Sequence, residues 1–121
     1  MEGFHQFFMP KESLFGYGCS QKIAPFLVSK GVSKVLIVTD KYLHESGLAQ
    51  MAINNFNGFD IEYAFYDEVS PNPTLENVKL GAEYYKKYNC QGIVAIGGGS
   101  PEDCAKAMGV LISMEESLRI I

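Results

Sequence analysis

The chain has 121 residues, 47% of them hydrophobic and 20% charged, which is the size and balance of one small globular domain rather than a disordered segment. A formal charge of −4 gives no electrostatic reason to expect nucleic acid or an anionic membrane as a partner. No apolar run approaches the ~20 residues that span a bilayer, the start lacks a signal-peptide pattern, and Cys19, Cys90 and Cys104 form neither a disulfide framework nor a zinc pattern, so a reducing cytoplasmic setting is expected.

Residues 4–15 mix aromatics with Pro10 and predict short strands leading into Gly16-Tyr17-Gly18. A helix is expected over about 20–30, with Ile23, Phe26 and Leu27 at helical spacing and Gly31 as its stop. Val35-Leu36-Ile37-Val38 is a short, β-branched apolar run, the pattern of a strand covered on both faces. Leu48, Ala52 and Phe56 mark a second helix ended near Gly58, and residues 61–66 are β-rich. Ser70-Pro71-Asn72-Pro73-Thr74 is turn chemistry. Thr74 can cap a third helix with the buried stripe Val78, Ala82 and Tyr85, and Lys86 and Lys87 fall in its last turn, where cations favour the dipole. Residues 92–96 are another buried strand, running straight into Gly97-Gly98-Gly99-Ser100 and a fourth helix. Strands alternating with helices predict an α/β, Rossmann-like layered domain with a mainly parallel sheet. Ligands in such sheets bind at the carboxyl ends of the strands, which directs attention to the residues after Val38, Tyr66 and Ile96.

The glycine turn carries the most chemistry. Three glycines after a buried strand permit a tight turn and close ligand approach to the backbone. Ser100 suits the N-cap, Pro101 the first helical position, and Asp103 the capping-box spacing. A helix start with unpaired backbone N–H groups can take a phosphate, although a well-capped turn that binds nothing has the same residues. No Gly-Lys-Ser/Thr follows, so this is not a P-loop. Nor does it follow the first strand as a Rossmann G-x-G-x-x-G would, and after Gly16-Tyr17-Gly18 the third glycine position holds Gln21.

Residues 97–106, Gly-Gly-Gly-Ser-Pro-Glu-Asp-Cys-Ala-Lys, resemble the G-G-G-S-x-x-D-x-A-K signature of the iron-containing (group III) alcohol dehydrogenases. Val38-Thr39-Asp40-Lys41, Pro71-Asn72-Pro73-Thr74 and the entry at Phe15-Gly16 resemble further family landmarks in the same order, up to about Ser113. The resemblance implies NAD as cofactor. It assigns the pyrophosphate to Gly98, Gly99 and Ser100, with Gly97 shaping the turn, and puts Asp103 near a ribose and Asn72 beside the cofactor. Asp40 would accept hydrogen bonds from the adenosine ribose hydroxyls and repel a 2′-phosphate, favouring NAD over NADP. The bare residues also allow plainer roles: Asp40 and Asp103 as helix caps, Asn72 as a turn residue between prolines, and Lys106 as a solvated helix charge.

The family pattern continues with a Thr- and Gly-rich segment and a helical domain that supplies one Asp and three His ligands to iron. Neither has a counterpart in residues 1–121, where His5 and His44 are the only histidines, so the chain is expected to be a truncated, incomplete dinucleotide-binding domain, inactive alone. The tail 114–121 departs from the family's glycine-containing turn and fits a helix extension, a truncated product or an artificial chain end. Expected partners are NAD(H), a small alcohol or aldehyde in the full-length family, and self-association or pairing with a relative through uncovered apolar surface. Two other functions compete: a non-catalytic nucleotide-binding or interaction module, and a sugar-phosphate binder.

Overall fold

The computed structural model describes residues 5–8, 14–17, 23–56, 58–97 and 99–120. Five strands form one sheet: β1 (His5–Phe8), β2 (Leu14–Tyr17), β3 (Lys34–Val38), β4 (Glu62–Tyr66) and β5 (Gly92–Ala95), in the order β1-β2-β5-β3-β4. β2, β5, β3 and β4 pair in parallel, and β1 returns antiparallel along β2. The helices are α1 (Ile23–Ser29), α2 (Lys41–Glu45), α3 (Leu48–Ala52), α4 (Leu75–Lys87) and α5 (Gly99–Ile120).

The two apolar runs become the central strands β3 and β5, which explains their continuous hydrophobicity. Alternate residues feed opposite layers. Leu36, Val38, Ile93 and Ala95 pack with Val78, Ala82, Tyr85, Cys104, Ala105 and Met108 of α4 and α5. Val35, Ile37, Val94 and Ile96 pack with Ala24 and Leu27 of α1 and with Ala49, Ile53 and Phe56. Helices therefore cover both faces, as the alternating pattern predicts. β4 is half-covered, with Glu62 and Tyr63 exposed, and alternates less cleanly because it is the edge strand of the sheet among the described residues.

One expectation needs correction. The single helix over Leu48, Ala52 and Phe56 is instead the short α3 followed by a 3₁₀ turn, Asn54–Phe56, and α2 precedes it. α3 stops at Ala52, where Ile53, at φ −105° and ψ 11°, leaves helical geometry, so the apolar spacing at Phe56 falls in the 3₁₀ turn; Gly47, at φ 87°, separates α2 from α3. The tail continues α5 to Ile120, the helix extension that the sequence left open as one reading.

Thr74 caps α4 as expected: its hydroxyl accepts from the Asn77 amide at 3.1 Å, and the Asn77 side chain answers by accepting from the Thr74 amide at 3.1 Å. Tyr66, fully buried on β4, donates its hydroxyl to the Asn77 carbonyl at 2.7 Å, tying the strand to the first turn of α4. Burial raises the Tyr66 phenol well above its ordinary value, so it stays a donor.

The topology creates a crevice. β3 and β5 are neighbours, but the chain leaves β3 toward α3 on one face and leaves β5 into α5 on the other. Where adjacent parallel strands send their connections to opposite faces, a gap opens beyond their carboxyl ends.

Candidate cofactor site

Asp40 and Gly97 flank that gap, just beyond β3 and β5. Asp40 caps α2, its Oδ1 accepting from the Leu43 amide at 2.7 Å. Capping also fixes the carboxylate at the crevice mouth, so the structural and functional readings of Asp40 are compatible. Gly97 has φ 131°, a conformation that L side chains rarely adopt. A Cβ there would lie 2.9 Å from Leu43 Cδ1 and 3.1 Å from Pro101 Cγ, with Asp40 Oδ2 at 3.8 Å. Gly97 thus lets the turn close against the start of α2. Gly99 serves a different end: a Cβ there meets nothing within 4 Å, so it keeps space open over the first turn of α5.

The open space is a cleft of about 350 Å³. Asp40 and Tyr42 line one side, Val69, Ser70 and Pro71 another, and Gly99, Ser100 and Pro101 the third. All three walls are segments that follow a parallel strand. Of the residues singled out in the sequence, the fold brings Asp40, Gly97, Gly99 and Ser100 together. Gly98 lies outside the described residues. Asn72 and Asp103 are exposed and are not part of the cleft lining.

Ser100 departs from its expected capping role. α5 begins at Gly99, two residues before the expected first position at Pro101, and the Ser100 hydroxyl donates to the Pro71 carbonyl at 2.6 Å across 29 residues of sequence. With the helix starting earlier, the hydroxyl reaches sideways to the neighbouring loop rather than back over its own turn. Lys106 pairs with Glu102 one helical turn away, at 3.3 Å.

Sequence reasoning missed three participants. Tyr42 is 71% exposed at the cleft rim, an unusual place for a large aromatic ring. Ser70 and Asn77 organise the loop after β4: the Ser70 hydroxyl lies 2.8 Å from both Asn72 O and Asn77 Oδ1, and Asn77 Nδ2 donates to the Glu68 carbonyl at 3.0 Å. The Ser-Pro-Asn-Pro-Thr run announced a turn; nothing in it announced a hub three residues inside the next helix.

The described residues do not fit an iron site. No group of three or more His, Cys, Asp and Glu among them is arranged to hold an ion. His44 places Nδ1 2.7 Å from Asp67 Oδ2 and stacks on Phe65 with ring centroids 4.2 Å apart, which is a structural role. Burial pushes the Cys90 and Cys104 thiols up to about 11, so both are held as protonated thiols at neutral pH.

Residues 10–120 match the family model of the iron-containing alcohol dehydrogenases. The chain is 40% identical to choline dehydrogenase of Bacillus subtilis, over 98% of this chain and 29% of that one. It is 36% identical to NAD-dependent methanol dehydrogenase of Bacillus methanolicus, over 87% and 28%. Among solved structures, sulfoacetaldehyde reductase from Bifidobacterium kashiwanohense in complex with NAD+ superposes with a TM-score of 0.66 at 34% identity, covering 78% of this chain and 24% of that one. The chain therefore spans under a third of the length of these relatives. Sequence motifs, sheet topology and cleft agree with these likenesses: the chain belongs to the iron-containing alcohol dehydrogenase family.

Proposed function

We propose that this chain is the NAD-binding part of an alcohol or aldehyde dehydrogenase and that the 121-residue chain alone does not oxidise alcohols. The observation that carries the reading is the cleft itself. A carboxylate at the end of β3 faces a glycine-opened helix start at the end of β5 across about 350 Å³. The start of the 22-residue α5 presents unpaired backbone N–H groups and the positive end of a helix dipole, which suits a pyrophosphate. Asp40 suits a ribose diol and disfavours a 2′-phosphate.

Bound NAD would supply the hydride acceptor. This chain's residues bind and orient. Gly97 brings the turn close, Gly99 leaves room for the anion, and Asp40 orients the adenosine ribose. Asn72 and Asp103, exposed beside the cleft, would meet the cofactor only at its edges. The described residues offer iron no donor set. The substrate is a small alcohol or aldehyde by family.

Gly99→Val tests the reading cleanly. The new side chain meets no protein atom within the space a Cβ would occupy, so the fold should survive with an unchanged unfolding midpoint. It would occupy the space over the helix start, and NADH binding measured by calorimetry should fall at least tenfold. Unchanged NADH affinity in a folded Gly99→Val chain would remove the assignment. Asp40→Gly should narrow the preference for NADH over NADPH. Glycine is nearly as good an N-cap as aspartate, so α2 should persist at a cost of only a few tenths of a kcal/mol. Iron-stimulated NADH production from short alcohols by the purified chain would overturn the inactivity claim.

A further inference from the structure

We infer that Ser100 is a latch between two walls of the cleft rather than a donor to the bound phosphate, an inference that rests on the cofactor reading above. The family resemblance assigns Ser100 to the pyrophosphate. A serine hydroxyl has a single proton. Here the proton goes to the Pro71 carbonyl at 2.6 Å, a short bond for an O–H···O contact. Both residues line the cleft, Ser100 from the start of α5 and Pro71 from the loop after β4. Pro71 has no N–H, so its carbonyl is the one backbone group by which this residue can be held.

The loop is fixed at its other end by Asn77. Its side-chain oxygen accepts from the Thr74 amide at 3.1 Å and lies 2.8 Å from the Ser70 hydroxyl, and its nitrogen donates to the Glu68 carbonyl at 3.0 Å. Asn77 thus ties the loop to α4, and Ser100 ties its tip to α5. Between these two anchors sit Ser70 and Pro71, which form the cleft wall. The pyrophosphate is left to the backbone N–H groups of the turn. Ser100 acts on the cofactor through Pro71, as a positioning residue.

The latch and the phosphate-donor role differ in what Ser100→Ala does to a short anion. Three readouts on the 121-residue chain separate them: NADH affinity, inorganic pyrophosphate affinity, and amide hydrogen exchange at Ser70 and Asn72. In Ser100→Ala the latch predicts NADH affinity about tenfold weaker, pyrophosphate affinity within twofold of the parent, and faster exchange at both amides. Ser100→Thr, which keeps a hydroxyl, should restore exchange and NADH affinity together. Equal weakening of NADH and pyrophosphate with unchanged loop exchange would overturn the latch in favour of direct phosphate contact. Ser100→Ala with all three readouts unchanged would overturn it as well. A parent chain that binds no NADH while its loop amides are protected would instead overturn the cofactor reading.

Discussion

Two walls of the cleft are built by opposite means. The turn after β5 is shaped by side chains that are missing, at Gly97 and Gly99. The loop after β4 is shaped by side chains that are present, through the hydrogen bonds of Ser70, Thr74 and Asn77. The first kind of wall is closed at Gly97, where nothing larger fits, and open at Gly99, where it presents bare backbone to a ligand. The second kind depends on polar contacts near solvent, each with a modest net contribution of about 0.5–1.5 kcal/mol. Gly97 should therefore tolerate substitution least, and the loop should respond in graded fashion.

Gly97→Val should produce the largest loss. It combines an unfavourable positive φ with overpacking against Leu43 and Pro101. Strain and overpacking each cost about 1–3 kcal/mol, so a destabilisation of about 2–5 kcal/mol is expected by chemical denaturation. A loss under 1 kcal/mol would show that the turn relaxes easily and that the contrast between the walls is smaller than argued.

Asn77→Val should cost less, about 1–2 kcal/mol, because the groups it releases can reach water. Its signature is local: exchange should accelerate across residues 68–74 while the amides of β3 and β5 keep their protection. Acceleration spread evenly over the sheet would mean that Asn77 supports the whole fold rather than one wall.

Asp67, at the base of the same loop, gives a pH test. Burial works against its ionisation, but the hydrogen bond with His44 and the nearby Lys41 ammonium hold the carboxyl below its ordinary value. A carboxyl lowered in the folded state stabilises the protein above its unfolded pKa of about 3.9, and that contribution is lost as pH falls through the folded value. The parent chain should exceed Asp67→Asn in stability at neutral pH by about 1 kcal/mol, and the gap should close in acid below about pH 4. A gap independent of pH would assign the effect to packing. The smallest effect is expected at Lys106→Ala, which removes one exposed pair with Glu102 at a cost of about 0.5 kcal/mol or less in thermal unfolding.

The same contrast decides what could be read in advance. Glycines between an apolar run and a helix favour a turn, seen at Gly97, and the short apolar runs of β3 and β5, flanked by turn residues, favour buried strands. Both were legible, and with them the parallel sheet and the position of Asp40. The wall built from hydrogen bonds was legible in part. Thr74 announced itself as a cap, but Asn77 occupies the position where the sequence rule looks for Glu or Gln. The Ser100–Pro71 contact joins residues 29 apart, and no local pattern reports on it. The change from α3 to a 3₁₀ turn after Ala52 was hidden, because the apolar spacing at Leu48, Ala52 and Phe56 runs straight through it.

The most direct test of a dinucleotide cleft is a titration of the isotopically labelled chain with NADH, following backbone amide resonances. The three walls predict shifts concentrated at residues 40–42, 69–72 and 97–100, with the far ends of β3 and β5 unmoved. Shifts confined to other surfaces, or none at millimolar NADH, would contradict the assignment of this cleft to the cofactor.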